Sequence, residues 1–230
     1  MSRRLSRIGQ GIGPYLEPGF VSKLKSDKIV ALSLHSNELE GLEVQFSSNI
    51  VENSLMGNQS LAQQVDQRSL ILTNELTMLV DLDVSSNKLG GNRDETDECA
   101  PETKLKQNFF SLLLLAPNLK IMNLSANFLT ARDLGRILQP LTCDVNISCS
   151  PVVRQLQNLN LSHNDLQSLP ETLHIACPLL YQLNIVGNYI SNLSTFVKSI
   201  YLIRSVMNPR EILFVLFVST ENTCYVSFRI

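Results

Sequence analysis

Tryptophan is absent from this chain of 230 residues, and aromatic residues of all kinds make up only 6% of it. Charged residues are also scarce, at 17%, and they nearly cancel to a formal net charge of −2. Nucleic-acid binding depends on a basic surface and, for single strands, on aromatic platforms for the bases. We therefore predict no nucleic-acid partner. Hydrophobic residues make up 44%, which is enough for a folded core.

Long apolar runs are missing as well. The longest, at residues 112–116 and 212–218, fall far short of the roughly 20 residues that a membrane-spanning helix needs. The N-terminus carries Arg3, Arg4 and Arg7 without an apolar segment after them, so it does not resemble a secretory signal. Five scattered cysteines are an odd number, which favours free thiols in a reducing compartment. These features predict a cytoplasmic protein without a membrane span.

Motifs for catalysis, nucleotides and metals are also missing. The alternating glycines Gly9, Gly11 and Gly13 follow no predicted strand, and Pro14 interrupts any helix that would bind phosphate. Cys143 and Cys149 lack a second pair at zinc-finger spacing. No serine or cysteine motif marks a nucleophile. The sequence thus predicts no enzyme, no cofactor and no metal.

What the sequence does contain is an internal repeat. Five segments match the template L-x-x-L-x-L-x-x-N-x-L with an apolar residue at every core position: IVALSLHSNEL, LVDLDVSSNKL, LKIMNLSANFL, LQNLNLSHNDL and LYQLNIVGNYI. One match would be weak evidence, but five in one chain indicate a repeat architecture. Because alternate side chains of a strand point to opposite faces, we predict that each L-x-L is a short strand with its leucines inward. The strands are expected to stack in chain order as a curved parallel sheet.

Every repeat carries an asparagine at the same position: Asn37, Asn87, Asn127, Asn164 and Asn188. An amide both donates and accepts, so we predict that these side chains are buried and bond the backbone of neighbouring repeats. Their spacing falls from 50 to 40, 37 and 24 residues, whereas ordinary repeats take about 20–29. Insertions are therefore expected near residues 40–75, 90–104 and 142–152. A degenerate repeat in the first interval is the alternative, although Asn53 stands where leucine belongs.

These features divide the chain into an N-terminal segment or cap at 1–28, a repeat domain at 29–193 and a C-terminal part at 194–230. Helices are predicted after Thr130, which is placed as a cap, and from Pro101, with Leu105, Phe109, Leu112 and Leu113 facing the strands. A third is predicted over about 61–78. In the C-terminal part we predict a helix at 194–206 and a hairpin formed by ILFVLFV and CYVSFRI. The hairpin either caps the repeats or is an atypical tail.

Residues 29–193 resemble cytosolic leucine-rich-repeat proteins. The segments ALSLHSNELEGLE, LVDLDVSSNKL and MNLSANFLT are similar to repeats of centrosomal and axonemal members and of the regulatory subunit of a protein phosphatase. TARDLGRIL is similar to the longer helical repeats of the ribonuclease-inhibitor type. The resemblance implies an α/β solenoid, a horseshoe with a parallel concave sheet and with helices and long insertions on its convex side. It also implies a non-catalytic protein-protein interaction module in a centrosomal, ciliary or cytoskeletal scaffold. The alternative is a regulatory subunit that controls an enzyme such as a protein phosphatase.

In such a horseshoe the concave face carries the strand residues that lie between the leucines. This face is rich in amides, with one acidic pair and one aromatic residue at its edge, which suits hydrogen bonding to a peptide or a helix. We therefore predict that a protein partner binds this face rather than the loops. The candidate binding residues are Ser33, His35, Asp81, Asp83, Asn123, Asn158, Asn160, Tyr181, Gln182 and Asn184.

Overall fold

The computed structural model describes residues 3–45, 75–90, 109–138, 153–170, 172–190, 213–218 and 224–229. The strands are β1 (Arg3–Ser6), β2 (Ile29–Ser33), β3 (Glu43–Gln45), β4 (Asp81–Asp83), β5 (Phe109–Ser111), β6 (Ile121–Asn123), β7 (Asn158–Asn160), β8 (Gln182–Asn184), β9 (Leu213–Val218) and β10 (Cys224–Arg229). The helices are α1 (Pro18–Ser26), α2 (Leu112–Leu115), α3 (Ala131–Leu138) and α4 (Leu173–Ala176).

Six of these strands form a parallel sheet in the order β1, β2, β4, β6, β7, β8. The predicted order and direction of the five template strands are therefore confirmed. Their registers align the second apolar position of every repeat, which is Leu32, Leu82, Met122, Leu159 and Leu183. Beyond β8 the two strands of the predicted hairpin continue the sheet, with β10 antiparallel to β8 and β9 antiparallel to β10. The sheet and its few short helices give the described part of the chain an α/β character.

The parallel sheet begins one strand earlier than the template indicates. Strand β1 pairs parallel with β2, and Leu5 lies opposite Leu32. The backbone N–H of Gln10 donates to Oδ1 of Asn37 at 2.9 Å, as the N–H of Asn37 does to Asn87 at 2.8 Å. The segment therefore behaves as a first repeat. It escapes the template because Gln10 occupies the place of the asparagine.

The leucines of the template form the core. Leu32, Leu82, Met122, Leu159 and Leu183 are at most 2% exposed. Burying such a side chain contributes roughly 1.5–3 kcal/mol. Because alternate residues of a strand point to opposite faces, burial of these side chains orients the residues on either side of them toward the surface.

Helix α3 confirms the cap predicted at Thr130. Oγ1 of Thr130 accepts the backbone N–H of Asp133 at 3.3 Å, and a carboxylate oxygen of Asp133 accepts the N–H of Thr130 at 3.0 Å. This reciprocal pair satisfies two donors that a helix start leaves open. Leu134 and Leu138 lie four residues apart on the buried side of the helix, so they join the core.

The buried asparagines have the predicted scaffold role, since all five are at most 4% exposed. Asn164 shows the complete pattern. Its Oδ1 accepts the N–H groups of Asn127 and Leu129 at 2.9 and 3.0 Å. Its Nδ2 donates to the carbonyls of Leu124 and Leu161 at 3.0 and 2.9 Å. One side chain thus bonds backbone groups of two consecutive repeats.

The helix predicted from Pro101 is wrong at Phe109, but Leu112 and Leu113 are helical and buried as predicted. Phe109 and Phe110 belong to β5, which pairs antiparallel with β3 and suits the β-propensity of aromatic residues. Helix α2 begins only at Leu112, where Oγ of Ser111 caps it by accepting the N–H of Leu113 at 3.2 Å. The helix predicted over about 61–78 is wrong at 75–78, where the structure has a turn, and its remainder lies outside the described residues. Also outside them are residues 101–108, most of the insertions and the helix predicted at 194–206.

Candidate functional site

The candidate residues lie mainly on outward-facing positions of the parallel sheet, and the register aligns them in two rows. The first row contains Ala31, Asp81, Ile121, Asn158 and Gln182. The second, the central row, contains Ser33, Asp83, Asn123, Asn160 and Asn184. His35 follows β2, and Tyr181 precedes β8. The structure therefore brings the rows together, with His35 and Tyr181 at opposite ends of the strands.

A repeated hydrogen bond orients the central row. Oδ1 of Asn123 accepts the backbone N–H two residues further along, at 3.1 Å. Asn160, Asn184 and Asp83 make the same contact at 3.1 Å. Because an N–H must face an oxygen, this contact fixes the orientation of each amide. The Nδ2 groups of Asn123, Asn160 and Asn184 make no hydrogen bond to another described residue, so they form a row of donors on adjacent strands, about 4.8 Å apart.

Asp83 is occupied by contacts within the sheet. Oγ of Ser33 donates to its Oδ2 at 3.0 Å, and Oγ of Ser85 donates to its Oδ1 at 2.6 Å. The same Ser85 hydroxyl lies 2.8 Å from Nδ1 of His35. In a Ser-His-Asp triad the histidine lies between serine and aspartate, whereas here the serine lies between them. The network ties β2 to β4, and substituting Asp83 would therefore also disturb the sheet.

Asp81 has a different environment from its neighbour. Burial raises the pKa of its carboxyl, Arg4 opposes this by lowering it, and Asp83 adds to the increase. Strand β1 places Arg4 opposite Ala31, which lies beside Asp81. Arg4 therefore belongs to the candidate surface, whereas the sequence pattern predicts only an N-terminal segment or cap there. The signal that could have found it is Leu5, which stands 27 residues before Leu32.

Toward β8, the first row is more apolar, and one of its polar atoms lacks a hydrogen-bond partner among the described residues. Ile121 is 39% exposed and Tyr181 is 37% exposed. Oδ1 of Asn158 is buried and accepts no hydrogen bond from a described residue. Gln182 is exposed beside it. This end combines apolar area with unpaired polar atoms, which is the composition expected of an interface.

Other chemistry finds little support among the described residues. None of their His, Cys, Asp and Glu side chains form a group of three or more that could hold a metal ion. None of their helices is long and apolar enough to cross a membrane. Burial raises the pKa of the Cys177 thiol to about 12, so this cysteine is a poor nucleophile. An open depression where the strands begin is lined by residues that include Val30, Met78 and Lys120.

Comparisons of the chain with protein families, with curated proteins and with solved structures found no match.

Proposed function

We propose that the chain is a leucine-rich-repeat solenoid without catalytic activity, and that it binds a protein partner on the outward face of its parallel sheet. The observation that carries this proposal is the central row, in which Asn123, Asn160 and Asn184 each turn the amide oxygen toward the backbone. Three oriented donors at the spacing of adjacent strands match the carbonyl oxygens of a peptide or a helix end. A rigid sheet loses little side-chain entropy when it binds.

The surroundings of the row support a protein partner over a small ligand. Asp81 supplies a partly desolvated carboxylate, and Ile121 and Tyr181 supply exposed apolar area. Interfaces commonly combine a few apolar and aromatic anchors with a polar rim. The resemblance to scaffold proteins of the centrosome and cilium makes a cytoskeletal scaffold the finer form of this proposal. Regulation of an enzyme such as a phosphatase would use the same face.

The first experiment finds the partner by position. A photo-crosslinking residue is introduced at Gln182, which is exposed in the first row beside the donors, and, as a control, at Ile175, which is 52% exposed on α4. Each full-length variant is illuminated in an extract of cells that express the chain. We expect a protein adduct at Gln182 and none of the same mass at Ile175. Equal adducts at both positions would contradict binding on the sheet face.

The second experiment tests the donors. Asn160→Asp keeps the oxygen that accepts the backbone N–H but removes the Nδ2 donor. Asp83 already occupies the same row position with the same backbone contact, so the fold accepts a carboxylate there. We expect the affinity for the captured partner to fall about tenfold or more, since a lost hydrogen bond of about 1.4 kcal/mol corresponds to tenfold.

The matched control is Asn118→Asp, because Asn118 is exposed outside the rows, where its Nδ2 donates to the carbonyl of Thr77. This variant should leave the affinity unchanged. If Asn160→Asp also binds normally while its melting temperature is that of the parent chain, the row of donors has no part in recognition.

A further inference from the structure

One residue follows each buried asparagine, and together these residues line the end of the sheet where the strands finish. This set, called the rim row below, contains Glu38, Lys88, Phe128, Asp165 and Tyr189. Backbone hydrogen bonds hold its neighbours side by side: the N–H of Asp165 donates to the carbonyl of Leu129, and that of Tyr189 to Leu166, both at 3.0 Å. The rim row is distinct from the two rows on the sheet face.

Phe128 exposes a large aromatic side chain to solvent. Its side chain is 57% exposed, so its burial contributes little. Its φ is +58°, and Glu38 at the same position of another repeat has a φ of +62°, so this backbone conformation belongs to the turn of the repeat. The exposure of the ring, and not the backbone conformation, therefore points to a role for the ring outside the fold.

The neighbours of Phe128 complete a surface of defined chemistry. Tyr189 is 67% exposed, the highest value among the large hydrophobic residues described. Asp165, between them, is exposed and forms no ion pair with a described residue. At the other end of the rim row Glu38 is paired with Lys88 at 3.8 Å. Asp165 is therefore the carboxylate of the rim row that is available to a cation from outside.

We propose that Phe128, Asp165 and Tyr189 form a docking site for an arginine side chain in an exposed segment of a partner protein. Adjacent repeats are about 4.8 Å apart, so the two aromatic positions are separated by about 10 Å with the carboxylate between them. A guanidinium placed over Asp165 would then lie within about 6 Å of both rings, the distance at which cation–π attraction operates. Its planar group also stacks on aromatic faces and pairs with carboxylates, which an apolar side chain cannot do.

The test measures binding of one arginine directly. The probe is a short glycine-serine peptide with a single central arginine, titrated into the full-length chain while backbone amide signals are followed by NMR. The comparison peptide carries citrulline, which has the same shape without the charge. We expect saturable shifts at the amides of Leu129, Leu166 and Tyr189. Citrulline should bind about fivefold more weakly or worse, because it loses both the ion pair and the cation–π contact.

Variants assign the effect to side chains. The affinity for the arginine peptide should fall at least about threefold in each of three variants, Asp165→Asn, Phe128→Ser and Tyr189→Ser. Glu38→Gln is the matched control for the carboxylate, because Glu38 holds the same rim position but is already paired with Lys88. Ile175→Ser is the control for an exposed apolar side chain, since Ile175 is 52% exposed on α4, outside the rim row and the sheet face. Neither control should change the affinity.

Two results would overturn the proposal. Equal binding of the arginine and citrulline peptides would show that the site takes an uncharged group. Normal binding by Asp165→Asn and by both aromatic variants would place the cation elsewhere. Because the sheet-face variants and the rim variants are different residues, failure here leaves the proposed sheet-face binding standing.

Discussion

Two buried asparagines allow a quantitative test of the scaffold. Asn127 and Asn164 occupy the same position in adjacent repeats, and both are at most 2% exposed. Both donate through Nδ2 to carbonyls of their own and of the preceding repeat. They differ at the oxygen, because Oδ1 of Asn164 accepts two backbone N–H groups while Oδ1 of Asn127 accepts none from a described residue. Replacing each by alanine therefore removes different sets of partners.

The expected magnitudes follow from this difference. Asn127→Ala leaves buried carbonyls without a donor and should lower the free energy of unfolding by about 1–3 kcal/mol. Asn164→Ala removes the same kind of donor and also leaves the N–H groups of Asn127 and Leu129 without an acceptor. Its destabilisation should exceed that of Asn127→Ala by about 1–3 kcal/mol, which is the penalty for an unsatisfied buried donor.

Urea unfolding followed by far-UV circular dichroism measures both variants, and the chain's lack of tryptophan makes fluorescence a poorer probe. Asn118→Ala is the control, since that amide is exposed and its loss should change stability by no more than about 0.5 kcal/mol. The slope of free energy against urea should stay constant, which shows that the same surface is exposed on unfolding. If Asn164→Ala is no more harmful than Asn127→Ala, the two accepted hydrogen bonds do not carry the stability assigned to them.

Three further predictions address stability and reactivity. Gly187→Ala should destabilise the fold by about 1–3 kcal/mol, since Gly187 has a φ of +69° and a Cβ there would lie 2.5 Å from Nδ1 of His163. Gly135→Ala is the matched control on α3, where a Cβ meets nothing within 4 Å, and it should raise the melting temperature. Asp81→Asn should raise the melting temperature at pH 7, because the raised pKa of Asp81 means that its charged form is disfavoured in the folded chain. The gain should vanish below the unfolded pKa of 3.8, where Asp81 is protonated in both states, so a gain that persists at pH 3 would contradict this cause. Cys177, with a pKa raised to about 12, should resist alkylation at pH 8 until the chain unfolds, as mapped by mass spectrometry. Ionisation of this thiol in the unfolded chain alone should also lower the free energy of unfolding as the pH rises above 9.0.

The parallel sheet could be predicted because its signal is local and repeated. Each template segment places leucines at a period of two, followed by an asparagine at a fixed distance, and that pattern alone determines which side of the strand is buried. Strand β1 could not be found in this way. Its Arg7 stands where the next repeat has Leu34, and Gln10 stands where it has Asn37. An edge strand needs fewer apolar side chains, since one of its sides has no neighbouring repeat to cover it.

The candidate surface was predictable in its membership but not in its chemistry. Strand periodicity places Asp81 and Asp83 on the same face as equivalent charges. The structure separates them, because Ser33 and Ser85 donate to Asp83 whereas burial raises the pKa of Asp81. The Ser33 contact joins residues 50 positions apart in sequence, and the sequence of a single chain contains no pattern that predicts it. The exposure of Phe128 and its positive φ are likewise consequences of the turn and not of a motif.

The asparagines show most clearly why atoms, and not residue types, separate scaffold from function. Asn160 and Asn164 stand four residues apart in the same repeat, and although the template predicts one outward and one buried, residue type alone does not distinguish their roles. In Asn164 the oxygen accepts two N–H groups and the Nδ2 donates to carbonyls, so nothing remains to offer a partner. In Asn160 the backbone takes only the oxygen, so the donor stays available. A substitution that keeps the oxygen and removes the donor, Asn→Asp, should therefore separate the two roles: at Asn164 it introduces a buried charge and should lower stability strongly, whereas at Asn160 it should lower binding and leave folding intact.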